Sequence, residues 1–163
     1  MAPLAIAHAS GADFVRLKIF VGGAMTFEGH REALAVAATT YRHHLRAETI
    51  ALMADVFDRS CVPTIDVTPE RAARAAVGQG ADALVLTGAE LDDSLARIRA
   101  VKALGLHRPV LIGGGVTSNN VAGVLSVADG AIVSTSLMRE GYRENDLLRW
   151  DSARTRQLVE AAA

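Results

Sequence analysis

Cysteine is almost absent, with Cys61 the only one among 163 residues. One thiol excludes an intrachain disulfide framework and the usual zinc-ligand spacings, and it fits a reducing cytoplasm. Excess charge is also lacking: 17 Lys+Arg against 18 Asp+Glu leave a formal net charge of -1. No electrostatic footprint for nucleic acid or an anionic membrane follows from such a balance. Long apolar runs are missing too. The opening "MAPLAIAHASGADF" has no positively charged leading region, and its apolar run breaks at His8, well short of a membrane span. No glycine-rich dinucleotide fingerprint follows the first apolar run and no P-loop lysine occurs, which argues against a nucleoside triphosphate motor.

What is present is a folded domain's worth of apolar side chains: 50% of the residues are hydrophobic and 14 are glycine. The length predicts one domain, residues 1–163. Five short apolar runs predict strands at 14–20, 50–56, 83–87, 109–114 and 131–136. Near-continuous apolar runs of this length suit strands covered on both faces, as in a parallel sheet. Helical patterning fills the gaps. "TPERAARAAVGQG" offers Thr68 as N-cap with Pro69 in the first turn, and further helices start at Thr117 and at Asp151. "GADF" at Gly11, "GADA" at Gly80 and "ADGA" at Ala128 form a weak repeat, each where a helix should turn into a strand.

Alternating strands and helices suit both a doubly wound sheet and a (βα) barrel. An eight-stranded barrel takes about 250 residues, so about 155 make five units, and the chain matches five-eighths of a barrel. Five curling parallel strands leave two unpaired edges, and "PLAIAHASGAD" reads as a helix end with no strand before it. The expectation is a barrel whose front units are missing.

Several segments resemble one family: "GADFVRLKIFVGGAMT", "EGHREA" leading to Tyr41 and Arg42, "LMADV", "GADALVLTGAE", "PVLIGGGVTSNNV" and "ADGAIVSTSLMREG". From about residue 3 to the end, the chain is similar to the C-terminal part of BtpA/SgcQ family proteins. That resemblance implies a (βα) barrel of the ribulose-phosphate-binding group, with strands four to eight present and one to three absent. It also implies a link to biogenesis of a membrane complex, photosystem I, with membrane contact at most peripheral. After "ADV" the family continues with a His-Val-Lys-His type segment, whereas this chain has Phe57, Asp58, Arg59 and Ser60. Both imidazoles are gone, which puts any acid-base role of that segment in question.

Within a barrel, Gly113, Gly114 and Gly115 fall where the loop after the seventh strand commonly holds a phosphate on backbone amides. Ser134, Thr135 and Ser136 would meet the same anion from the eighth strand. The structural alternative is close packing of strand and helix. Asp55, at a strand end, is the candidate base or hydroxyl-orienting group. Arg16 and Lys18 share a face and must either pair with Asp55 or hold an anion, with pairing favoured. Thr87 and Gly88 line the same mouth. His43 and His44 point apart on a helix, Asp92 and Asp93 suit a helix start, and Glu28 and His30 suit a solvated loop. No metal site is read, no cofactor is indicated, and turnover is left open. The competing expectations are a binder of phosphorylated small molecules, a noncatalytic assembly factor, and a truncated inactive product whose open edges need a second copy.

Overall fold

The structure is a computed structural model and describes residues 1–163 except 57, 58 and 144. Five parallel strands form the main sheet: β1 (Phe14–Leu17), β4 (Ala51–Val56), β6 (Ala83–Leu86), β7 (Val110–Ile112) and β8 (Gly130–Ala131), in that spatial order. Each pairs with the next along the chain, as Phe14↔Ala51, Met53↔Ala83, Leu84↔Val110 and Leu111↔Gly130 show. Sequential neighbours in parallel order, joined by helices, make a partial (βα) barrel; a doubly wound sheet would reverse its strand order at a switch point.

Four expected strands form within their apolar runs, each shorter than the run; the fifth, β8, overlaps its run 131–136 at Ala131 alone, because the chain goes on into a 3-10 turn at Thr135–Leu137. Alternation along them divides the sheet into two faces. Val15, Leu17, Leu52, Leu84, Leu86 and Ile112 point to the helices and join the main core. Arg16, Met53, Asp55, Val85 and Leu111 alternate with them and point to the other face. The helices are α1 (Ala2–Ser10), α2 (Ala35–His44), α3 (Pro69–Gly78), α4 (Leu91–Lys102), α5 (Val121–Leu125) and α6 (Ser152–Ala162). Thr68 caps α3, its hydroxyl accepting from the Arg71 amide, and Asp151 caps α6 through the Ala153 and Arg154 amides. Such caps contribute about 1 kcal/mol each. Thr117 does not begin a helix. It closes a turn, its carbonyl accepting from the amides of Asn120 and Val121, and α5 starts after Asn120.

The weak repeat has a physical meaning. Asp82 donates its amide to the Leu52 carbonyl and accepts the Leu52 amide on Oδ2, both at 2.9 Å. Asp129 holds Val110 in the same way, at 2.9 and 2.8 Å. Each aspartate, one residue before its strand, thus grips both polar groups of the first residues of the preceding strand and sets the register.

A second, antiparallel sheet rises beside the mouth. β2 (Ala24–Thr26) pairs with β3 (Gly29–Arg31) on one side and β5 (Val62–Pro63) on the other. Glu28 and His30, expected in a solvated loop, lie on this hairpin, where Glu28 pairs with Arg31.

Candidate functional site

The C-terminal ends of β1, β4, β6 and β7 bring four candidate residues to one place. Arg16 donates two hydrogen bonds to Asp55, Nε to Oδ1 at 2.9 Å and Nη2 to Oδ2 at 3.1 Å. The pair spans adjacent strands, with the Asp55 side chain 2% exposed and that of Arg16 28%. A bidentate guanidinium–carboxylate fork is the geometry in which a buried carboxylate keeps its charge. Thr87 follows β6 and is buried. Gly113 follows β7, and a Cβ placed there would stand 2.0 Å from Thr87 Oγ1 and 3.4 Å from Arg16 Nη2. Gly113 is therefore glycine for close packing inside the site. Lys18 lies exposed just beyond β1.

Gly114 and Gly115 differ from Gly113. A Cβ at either would meet nothing within 4 Å, and Gly115 has φ +76°. Their loop has its carbonyls engaged and its amides free. The Gly115 carbonyl accepts from Asn120 Nδ2 at 3.0 Å, and the Val116 carbonyl accepts from Ser136 Oγ at 2.7 Å. Among the described residues, the amides of Gly114, Gly115 and Val116 have no acceptor. A run of uncommitted amides beside engaged carbonyls is rich in donors and attracts an anion.

The Ser136 hydroxyl is also what joins the two expected phosphate segments. Ser134 precedes a short 3-10 turn, Thr135–Leu137, whose Leu137 amide returns to the Ser134 carbonyl at 2.9 Å. The Ile132 amide donates to the Ile112 carbonyl, which carries the pairing of β8 with β7 up to this turn. The hydroxyls of Ser134 and Thr135 make no hydrogen bond among the described residues.

Gly88 sits differently from expectation. Its amide donates to Ser94 Oγ at 2.8 Å, and a Cβ there would fall 2.4 Å from Asp93 Oδ2. It is glycine because the first turn of α4 lies against it. With Thr87 it also borders a crevice of 1140 Å³ between α3, α4 and the segment after β4. That crevice takes in neither Asp55 nor the glycine loop. A smaller cavity of 420 Å³ lies next to Ser136, walled by Thr117, Ser118, Arg154, Gln157 and Leu158. Arg154, paired with Glu140 at 2.8 Å, brings a cation there that sequence reasoning missed. Its only signal was its place in the first turns of the last helix. Of the altered segment at 57–60, Phe57 and Asp58 lie outside the described residues, while Arg59 and Ser60 stand in the turn before β5.

Comparisons agree on family and fold. The family model described as BtpA family matches residues 1–163. An uncharacterized protein of Thermococcus kodakarensis is 34% identical, with 99% of this chain and 60% of that protein covered. The photosystem I biogenesis protein BtpA of Synechocystis is 30% identical over 98% of this chain and 55% of its own length. The chain thus spans a little over half the length of the curated relatives it matches. Among solved structures, phosphoribosyl anthranilate isomerase from Thermococcus kodakaraensis aligns at TM-score 0.58 and 16% identity, covering 95% of this chain and 65% of that one. A native KDPGal structure aligns at 0.60 and 18% identity, covering 97% and 62%. At such identities these two likenesses establish the barrel fold alone.

Proposed function

Because this chain belongs to the BtpA family, we propose that it binds a phosphorylated small molecule, a phosphosugar or nucleotide, at the C-terminal ends of its barrel strands. The carrying observation is the loop 114–116, whose amides have no acceptor among the described residues while Asn120 and Ser136 hold the Gly115 and Val116 carbonyls. The phosphate sits on the amides of Gly114 and Gly115 and on the turn Ser134, Thr135, Ser136. Arg16, Lys18 and Thr87 face the rest of the molecule, with Gly88 behind them. Asp55, locked in its fork with Arg16, orients that guanidinium and the hydroxyls of the bound molecule. The reaction, if the site turns its ligand over, is left unassigned, and no cofactor is invoked. The place of action is the cytoplasm.

The test is thermal unfolding with inorganic phosphate and with ribose 5-phosphate. Ligand at ten times its Kd stabilises the folded chain by about 1.4 kcal/mol, a readable rise in Tm. A Tm indifferent to both compounds sinks the reading.

A second reading, an assembly role for a membrane complex like the one in the Synechocystis relative's name, is favoured by one feature. Phe27 at the hairpin tip is 105% exposed, with Met25 and Val62 also exposed on the same small sheet. Among the described residues no helix is long and apolar enough to cross a membrane, so such a role works through surface contact.

A further inference from the structure

Thr87 brings to the strand ends a polar group that the rest of the site leaves unanswered. The residue is 8% exposed. Its carbonyl accepts from Arg97 Nη1 at 3.3 Å, but its hydroxyl makes no hydrogen bond among the described residues. A buried hydroxyl is normally met by the protein or by a bound group, because leaving it unmet is costly. The oxygen is not closed off from solvent, so a bound group can reach it.

Its direction is set by the strand. Thr87 stands two residues after Val85 and continues the face that carries Arg16, Asp55 and Val85, not the helix-covered one. The hydroxyl and Arg16 Nη2 both border the volume that a side chain at Gly113 would take, 2.0 and 3.4 Å from its Cβ position. Arg16 comes from β1 and Gly113 follows β7, with β4 and β6 between them. The curl of the sheet and the length of the arginine bring the two together. Nε and Nη2 of Arg16 donate to Asp55, while Nη1 has no acceptor among the described residues.

We propose that Thr87 and Arg16 form a subsite for one uncharged oxygen of the ligand, a carbonyl or a hydroxyl, and that the ligand is therefore a sugar phosphate and not a phosphorylated acid. The inference rests on the phosphate reading and adds to it the chemistry of the group next to the phosphate. Charge decides between the two classes. Asp55 already answers the guanidinium with a two-bond fork. A ligand carboxylate would stand against that aspartate, whose side chain is 2% exposed, and repulsion at a buried group is poorly screened. A carbonyl accepts from Thr87 and from Arg16 Nη1 without adding charge, and a hydroxyl can also donate to Thr87. Distance decides the length. Gly113 is joined directly to Gly114, whose amide is a phosphate donor in the reading above, so the oxygen lies within a few bonds of the phosphate.

Isothermal titration with inorganic phosphate, dihydroxyacetone phosphate and 3-phosphoglycerate is the test. Dihydroxyacetone phosphate should bind about two- to tenfold more tightly than inorganic phosphate, the gain expected of one added hydrogen bond, and more tightly than 3-phosphoglycerate. Thr87→Val keeps the shape and removes the hydroxyl; it should lower the ratio of the first two affinities about threefold, whereas Thr87→Ser should keep it. The ratio is taken within one protein, so partial misfolding lowers both affinities and leaves it unmoved. Inorganic phosphate bound as tightly as dihydroxyacetone phosphate, a ratio indifferent to Thr87→Val, or 3-phosphoglycerate bound the most tightly overturns the subsite and leaves the phosphate reading standing. A folded chain that binds none of the three removes both.

Discussion

Thr87 Oγ1 occupies the space that a Cβ on Gly113 would need, 2.0 Å from where it would stand. The three glycines after β7 are thereby separated by role: the first is filled by its neighbour's hydroxyl, the second and third face open space. Gly113→Ala should destabilise the chain by about 1–3 kcal/mol through overpacking, and Thr87→Ala in the same chain should recover part of the loss. Gly114→Ala should change stability by less than about 1 kcal/mol. Urea unfolding of the three variants checks both statements, and equal losses at 113 and 114 would contradict the division.

The Arg16–Asp55 fork leads to a coupling prediction. Removing the carboxylate in Asp55→Ala leaves a partly buried guanidinium unpaired, at a cost of about 2–3 kcal/mol after allowance for the solvent access of Arg16. Arg16→Met removes both fork hydrogen bonds from the more buried carboxylate and should cost at least as much. The double variant should be less destabilised than the sum of the two, by about 1–3 kcal/mol, in a double-mutant cycle read by urea unfolding. Additive losses would mean that the two side chains act separately.

Much of this arrangement was legible in the residues. The strands stood out because they are covered on one face by helices and on the other by the curl of the sheet, so their apolar runs hardly alternate. Charges on an apolar strand need either a partner or an anion, which favours Asp55 as the partner of Arg16, and the fork is that pairing. The hairpin β2–β3 was not seen: its strands have three residues each and a polar sequence, and only Gly29, with φ +104°, marked the turn. Thr117 misled because a threonine before a polar stretch looks like a cap, whereas Asn120 folds its side chain back onto the Thr117 amide at 2.8 Å. Gly88 borders a crevice with Thr87, and the sequence does not reveal how closely the first turn of α4 approaches it.

The clamp at Asp129 predicts a pH dependence. The Lys102 hydrogen bond, and after it the Val110 amide, hold its carboxyl below the ordinary 3.8 despite partial burial. A carboxyl whose folded value is depressed adds stability above its unfolded value and loses it as pH falls through the folded value. Asp129→Ala should therefore lower Tm at neutral pH, and the gap to the parent should narrow as pH falls below about 4. A gap that stays constant down the acid range would show that the carboxylate's charge plays no part.

The Ser136 hydroxyl joins the loop after β7 to the turn after β8. Ser136→Ala should cost about 1 kcal/mol in stability and weaken phosphate binding by more than the roughly fivefold that this energy corresponds to, because both donor segments lose their alignment. Isothermal titration checks the second number. Unchanged affinity in a destabilised variant would confine Ser136 to the fold.

The most direct measurement of the central claim is an amide NMR titration of this chain with inorganic phosphate, repeated on Gly114→Val. Saturable shifts at Gly114, Gly115, Thr135 and Ser136, with little change at Asp129 and Asp151 and none of it retained in a folded Gly114→Val, are the predicted result. A well-folded chain whose glycine-loop amides do not move at any phosphate concentration would contradict the account and leave the loop a turn between strand and helix.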